Sequence, residues 1–391
     1  MNEASDGSMP TNASRPRLYF VYVLNILSCI AVVTLHTTLS VYTPKPTGAW
    51  VWAVVLQSVV IFAVPIFFMI SGMNLLGYRR RESTAQFMRK RCWKIGKALM
   101  LGSIVCYVVF CLFPYSFFGA EQYVGTGGMI DFCRRFMSNH INDVYWFLYS
   151  IIYLYVLTPI LSLAVGNKRC LQYMLALCGL VGVLVPLANR LGVNPMYTGT
   201  VFNWPLFSTV PLLYFLAGYY LHTYWRPIRH QAAIAAAAYV AATIGMAVLG
   251  LWSNGYYRPG GPGPAYDAYV VGISSPFCVV QACALFLLFQ SCETRFQTCE
   301  VSTKRMLGKV AGASLGVYLF RILFINWTGF GFVAVLKSAL ATHLVLYAVV
   351  VYLCTLAVVL AGKAALGRCT VAIRWMRGIR RTAVRGSHGV Q

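Results

Sequence analysis

Ten apolar runs follow one another along the chain with only short loops between them. They lie near residues 18–41, 50–76, 95–113, 144–165, 170–189, 204–222, 231–252, 270–290, 311–335 and 339–362. A helix needs about 20 predominantly apolar residues to cross the roughly 30 Å hydrocarbon core of a bilayer. The pattern therefore predicts an all-α integral membrane protein with about ten transmembrane helices in one bundle. Composition agrees. Hydrophobic residues make up 59% and charged residues 10%, against about 45–50% and about 25% in soluble domains. A water-soluble fold of this size could not cover its surface with so few charges, and the same figures exclude a disordered, collagen-like or disulfide-stapled chain. The first run follows Arg15 and Arg17, is longer than a signal-peptide core and lacks a small-x-small cleavage site. It is expected to remain as an uncleaved first span.

Charge gives the orientation. The chain has 32 Lys+Arg against 9 Asp+Glu, a net of +23. With the N-terminus inside, 25 of the basic residues fall in segments assigned to the cytoplasm. Six fall outside (Lys45, Arg134, Arg135, Arg190, Arg258, Lys337), and Arg321 lies within a span. Basic residues mark cytoplasmic loops, so both termini are expected in the cytoplasm. A nucleic-acid partner is excluded by the same distribution, because the cations recur at membrane exits instead of forming one patch. Three parts are expected: a cytoplasmic tail over 1–17, a transmembrane domain over 18–362 and a basic cytoplasmic tail over 363–391. In that last tail Lys363, Arg368, Arg374, Trp375, Arg377, Arg380 and Arg381 read as an interfacial helix on anionic lipid. The 13 cysteines are scattered without a CxxC pair or metal-ligand spacing. They read as small buried hydrophobes, and no metal is expected.

The first span carries the most chemistry. Asn25 and His36 are eleven residues apart, which returns to within about 20° of the same azimuth and places His36 about 16 Å above Asn25. Tyr22, Cys29 and Ser40 fall near the same line. A polar stripe of this kind belongs toward the bundle centre, not the lipid. Histidine, with an ordinary pKa of about 6.5, suits proton removal from an alcohol at neutral pH. A histidine bonded between helices for packing alone would occupy the same position, and spacing leaves both open. No Asp or Glu is deeply embedded, which argues against an ion-coupled carrier built on buried carboxylates.

Several segments share one likeness. They are Tyr19–Thr38 (YFVYVLNILSCIAVVTLHTT), Val64–Gly72 (VPIFFMISG), and the inner-loop rhythm Phe87, Arg91, Lys94, Ile95. Trp146–Leu161 (WFLYSIIYLYVLTPIL), Tyr214–Leu221 (YFLAGYYL) and Ser314–Phe320 (SLGVYLF) complete the set. In this order the chain resembles membrane acyltransferase family 3, its enterobacterial common antigen O-acetyltransferase type in particular, over roughly residues 17–360. The departures are specific. Tyr22 stands at the family's acidic position, Asn25 at its Arg, Val144 and Arg321 at two of its His positions, and Ala98 at a Pro; His36 is retained. Arg321 brings an interior cation where Asn25 has lost one, so a charge moved between helices would keep the site positive.

The resemblance implies an O-acyltransferase of the bacterial cytoplasmic membrane. It would move an acyl group, acetyl first of all, from acyl-coenzyme A to a hydroxyl of a cell-envelope glycan or lipid-linked precursor. His36 would act as base or acyl relay, with Asn25, Tyr22 and Arg321 polarising the site. Loop 77–97 holds eight basic residues and one acid; its Arg89, Arg91 and Lys94 are candidates for the donor's phosphates, although such a loop also serves topology alone. Tyr145, Trp146 and Tyr257 are candidates on the acceptor side, where aromatic belts and a turn-rich connector (253–269) would look the same. The family likeness also leaves room for a translocator of a lipid-linked glycan and for a catalytically degenerate membrane partner.

The charge distribution makes a direct prediction. In a cysteine-depleted background, a membrane-impermeant thiol reagent should label a cysteine at Gly261 and spare one at Ser83. The reverse labelling would invert the orientation.

Overall fold

The computed structural model describes residues 17–193, 209–327 and 343–386. Among these every regular element is helical, apart from one isolated bridge between Phe117 and Trp327. Eight stretches are long and apolar enough to cross a membrane: Tyr19–Thr37, Gly48–Arg80, Thr84–Leu112, Asp143–Ala164, Lys168–Arg190, Gln231–Ser253, Val301–Asn326 and Leu344–Leu366. Two shorter helices, Val210–Thr223 and Pro276–Ser291, occupy the two remaining apolar runs. The chain is an all-α, multi-pass membrane protein. The helices used below are α1 (Tyr19–Thr37), α2 (Gly48–Val60), α3 (Ala63–Leu75), α4 (Trp93–Leu112), α5 (Met129–Met137) and α6 (Trp146–Ala164). They continue with α7 (Lys168–Arg190), α8 (Val210–Thr223), α9 (Gln231–Ser253), α10 (Pro276–Ser291), α11 (Val301–Asn326) and α12 (Leu344–Gly386).

The boundaries differ from the apolar runs for local reasons. The second run is two helices, because Pro65 has no N–H to give the carbonyl of Ile61 and its ring crowds that carbonyl. The break falls at Ile61–Phe62. The first run was expected to continue to residue 41, yet α1 stops at Thr37, where the hydroxyls of Thr37 and Thr38 both donate to the Thr34 carbonyl. Such side-chain bonds compete with the helical ladder. Ser40 consequently sits in a short 3-10 turn, exposed and off the polar stripe. Two thirds of the 77–97 loop is also helical: the Ser83 hydroxyl accepts the Gln86 N–H, and helix runs from Thr84 into α4 through one π-turn at Met88–Cys92. The basic C-terminal stretch continues the last span as one helix through Gly386. Residues 328–335 of the ninth run, 339–342 of the tenth and 204–208 of the sixth lie outside the described residues.

Helix α1 is the centre of the bundle, in contact with α11, α3, α12, α2 and α10. Its first N–H groups have no partner within the helix. Glu293 supplies one from the far end of the sequence, its carboxylate accepting the Tyr19 and Phe20 N–H groups at 3.1 and 2.7 Å. An anion there also suits the positive end of the helix dipole. Loop contacts respect two faces. On the basic face, Gln297 bonds the Arg17 carbonyl, Arg79 bonds Ser162 and Pro159, Tyr224 bonds Val165, and Lys363 bonds Gly312. On the opposite face Arg190 pairs with Asp267, and Tyr42 meets Tyr266 edge-on.

Helices α3 and α8, which carry VPIFFMISG and YFLAGYYL, meet backbone to backbone. A Cβ on Gly72 would lie 1.7 Å from the Phe215 carbonyl oxygen, and one on Gly218 would lie 2.0 Å from that of Met69. In lipid, where apolar side chains gain little by leaving the tails, close approach through small residues is a principal source of helix association. Gly72→Ala and Gly218→Ala should each destabilise the bundle by about 1–3 kcal/mol or more. Gly96→Ala, where a new Cβ meets nothing within 4 Å, should not. Thermal unfolding of the detergent-purified chain tests the contrast, and equal behaviour of the three would remove the packing argument.

Candidate functional site

The inward face of α1 passes two cavities, one above the other. Toward the basic face a pocket of about 160 Å³ is walled by Asn25 of α1, Ser71 of α3, Tyr155 of α6, and Ser314 and Tyr318 of α11. Toward the opposite face a cavity of about 300 Å³ is walled by His36 of α1, Gln122, His140, Asn142, Asp143 and Asn326. The same three helices, α1, α4 and α11, line both, so the spacing of Asn25 and His36 along one helix becomes the separation of the two cavities.

Arg321 lies between them. Only 1% exposed, its guanidinium carbon sits 4.2 Å over the Tyr318 ring, and Nη1 donates to the Tyr318 carbonyl. Among the described residues its Nε is buried without a hydrogen-bond partner and no carboxylate pairs with it. Its charge is close enough to act on His36, Cys29 and Tyr145. Asn25 Oδ1, Ser28 Oγ and Ser314 Oγ are likewise buried without partners. Buried polar groups are normally bonded, and a cation in a bilayer core is normally paired. This line of unpaired groups is a site that packing alone does not complete.

The structure brings His36, Asn25 and Arg321 to one line across the bundle. Tyr22 is placed lower, about one turn below Asn25, edge-on to Tyr19 at 5.8 Å and on the wall of neither cavity. On the basic face, Phe87 is buried and stacks on Tyr78 at 4.4 Å, while Ile95 joins the wall of the inner pocket. Positions 87, 91, 94 and 95 share a helix face, so Arg91 and Lys94 fall beside that pocket. The charge of Arg91 reaches Tyr155 on its wall. Arg89, Arg91 and Lys94 are all exposed. Glu82 partly neutralises the cluster, 3.1 Å from Lys90 Nζ and 4.0 Å from Arg91 Nε.

The acceptor-side candidates stand elsewhere. Tyr145 is 1% exposed, and its hydroxyl donates to the Leu319 carbonyl at 2.8 Å with Cys106 Sγ at 3.3 Å. It packs between helices and presents no ring to a ligand. Trp146 (38% exposed) and Tyr257 (62% exposed) are accessible, but neither walls the outer cavity. Tyr256 and Tyr266 pack against Trp50. The outer cavity is instead walled by residues that periodicity did not single out, Gln122, His140, Asn142 and Asp143, contributed by the segment between α4 and α6. The consecutive polar pair Asn142–Asp143 directly before the fourth span is the one local signal that marks them. That segment is clamped by α5: the Asp131 carboxylate accepts from Tyr107 at 2.8 Å and from Arg135 Nε at 2.9 Å. The Arg135 guanidinium lies 4.4 Å over Tyr123, whose hydroxyl bonds the Ile141 carbonyl at 3.2 Å. Desolvation raises the Asp131 carboxyl, but its bonds to Tyr107 and Arg135 and the charges of Arg135 and Arg134 outweigh it, and the net effect holds it below the usual range.

Comparison with known proteins gives one match. The family model described as an acyltransferase domain, that of acyltransferase family 3, matches residues 18–362. No curated protein and no solved structure matches the chain.

Arg321 has a structural test that needs no assay of activity. A desolvated cation without a carboxylate is poor value for stability, and replacing buried charges by apolar residues of similar volume is often neutral or stabilising by about 1–4 kcal/mol. Arg321→Met should therefore leave the unfolding temperature unchanged or raise it. A large fall would mean that the side chain holds the bundle together.

Proposed function

The chain belongs to acyltransferase family 3 and is a membrane acyltransferase. On that premise we propose that it moves an acyl group, acetyl first of all, from coenzyme A on the basic face to a hydroxyl in the outer cavity. The hydroxyl belongs to a cell-envelope glycan or a lipid-linked precursor, and the membrane is the bacterial cytoplasmic membrane with the basic face inward. The observation that carries this reading is the pair of stacked cavities, with His36 on the wall of the outer one and Arg321 buried in the layer between them, its charge within reach of His36. A thioester entering the inner pocket and a hydroxyl entering the outer cavity approach each other across this layer.

The chemistry follows from the side chains present. His36 accepts the proton of the acceptor hydroxyl as its oxygen attacks the thioester carbonyl carbon, a role worth about 10²–10⁴-fold. Negative charge gathers on the carbonyl oxygen, and the unpaired Nε of Arg321 supplies the donor that stabilises it; loss of one such donor costs about 10²–10³-fold in known cases. When the tetrahedral intermediate collapses, the C–S bond breaks and the departing thiolate takes up the proton from His36. Asn25 and Ser314 line the path of the thioester, and Arg91, Lys94 and Arg89 offer charge to the donor's phosphates. The Arg321–Tyr318 layer, closed further by Tyr145, separates the cavities, which favours passage of an acyl group over translocation of a whole glycan.

Two measurements on the purified chain test this reading. His36→Ala and His36→Gln should both lose acyl transfer by about 100-fold or more while the protein stays monodisperse. A packing histidine predicts the opposite ordering, with Gln tolerated and Ala destabilised, so full activity in His36→Gln would remove the catalytic role. Arg91→Gln with Lys94→Gln should weaken acetyl-coenzyme A binding without changing insertion; unaltered affinity would reduce those cations to a topology signal.

A further inference from the structure

A third cavity, of about 360 Å³, opens on the basic face between the start of α1 and the ends of α3 and α8. Its floor is apolar, made of Leu18, Met73 and Tyr219, and its rim is Arg80, Arg81, His222 and Thr223. The rim is fixed by its surroundings. Arg81 Nη2 donates to the Asn74 carbonyl at 2.6 Å, and the adjacent Arg79 is anchored to Ser162 and Pro159. Gly77 also lines the wall, facing the Tyr219 ring. Arg80 is exposed, and among the described residues it joins no ion pair.

Charge separates this crevice from its neighbours. Neither the inner pocket nor the outer cavity has a lysine or arginine on its wall. The cluster at Arg89–Lys94 is partly neutralised by Glu82, whereas no carboxylate lines the crevice. Two guanidinium groups over an apolar floor suit a ligand that is anionic at one end and apolar beyond it, and guanidinium matches phosphate oxygens in bidentate geometry. Position adds a second argument. Leu18 precedes Asn25 by seven residues, two turns of α1, so the crevice lies about 10 Å below the inner pocket and on nearly the same azimuth.

We propose that this crevice is a phosphate-binding site, with Arg80 and Arg81 holding the phosphate and Leu18, Met73 and Tyr219 covering the apolar part next to it. The phosphate belongs either to a soluble nucleotide-type ligand or to the headgroup of an anionic phospholipid. The site stands on its own geometry and does not require the acyl-transfer reaction.

The test uses the full chain and two probes. Binding of 3′,5′-adenosine bisphosphate is titrated in detergent, and retention of phosphatidylglycerol over phosphatidylcholine is read by native mass spectrometry from mixed-lipid nanodiscs. Arg80→Gln should weaken one of these by about tenfold, the scale of a lost charge-assisted bond. Thr223→Glu, which sets a carboxylate on the rim, should do the same without touching an arginine. Arg295→Gln, a basic-face change outside the crevice, should do neither. Loss confined to the nucleotide assigns the site to a soluble phosphate, and loss confined to phosphatidylglycerol assigns it to lipid. If neither probe binds, or both variants behave like Arg295→Gln, the proposal is overturned, whatever His36 proves to do.

Discussion

A single uncompensated charge in a low-dielectric interior sets the terms for the rest of the bundle. The Born cost of a desolvated cation is large, and among the described residues Arg321 meets it with a ring face and one carbonyl, both from Tyr318. Such an arrangement persists only if surrounding helices hold it rigidly, because relaxation would let the side chain escape toward water. The helices do so. Tyr318 is itself tied to the Val144 carbonyl and Tyr145 to the Leu319 carbonyl, so the 3-10 turn leading into α6 and helix α11 lock each other at the level of the cation.

That rigidity depends on contacts far from Arg321. The Gly72–Phe215 and Gly218–Met69 approaches bring α3 and α8 to backbone contact, which fixes α3 against the inward side of α1. Glu293 then fixes the other variable, the height of α1, by capping its first two N–H groups. One of only nine acids in the chain thus sets the level at which Asn25 and His36 meet their cavities. A carboxylate on those N–H groups is worth more than a surface ion pair, since it satisfies donors that would otherwise be orphaned at a helix end.

The sequence made some of this legible and hid the rest, for identifiable reasons. Span positions were readable because each apolar run must satisfy its own backbone, and the polar face of α1 was readable because Asn25 and His36 obey helical periodicity. Ser40 was misplaced because periodicity cannot see a helix end, which the Thr34–Thr38 hydroxyl bonds impose. The helix within 77–97 was hidden by its charge, although Ser83 and the good helix formers after it mark its start. Tyr145 looked available because hydroxyl partners such as Leu319, 174 residues away, leave no local trace. Gln122, His140 and Asp143 meet His36 only through the fold of the α4–α6 segment, so no window of sequence contains that cavity.

Asn25 and Arg321, the two positions where the resemblance implies a cation moved between helices, act together. With Asn25 the inner pocket is neutral, so nothing in it competes for the phosphates of a ligand entering from the basic face, and the arginines and lysines nearer that face are left to hold them. With Arg321 the cation stands about one helical pitch or more farther along the path, at the layer between the cavities. A charge at the entrance strengthens binding of donor and transition state alike, whereas a charge at the point of bond exchange acts on the oxygen that becomes negative only during reaction. On the proposed chemistry, moving the cation from α1 to α11 therefore converts a binding element into a transition-state element and leaves binding to the basic rim outside.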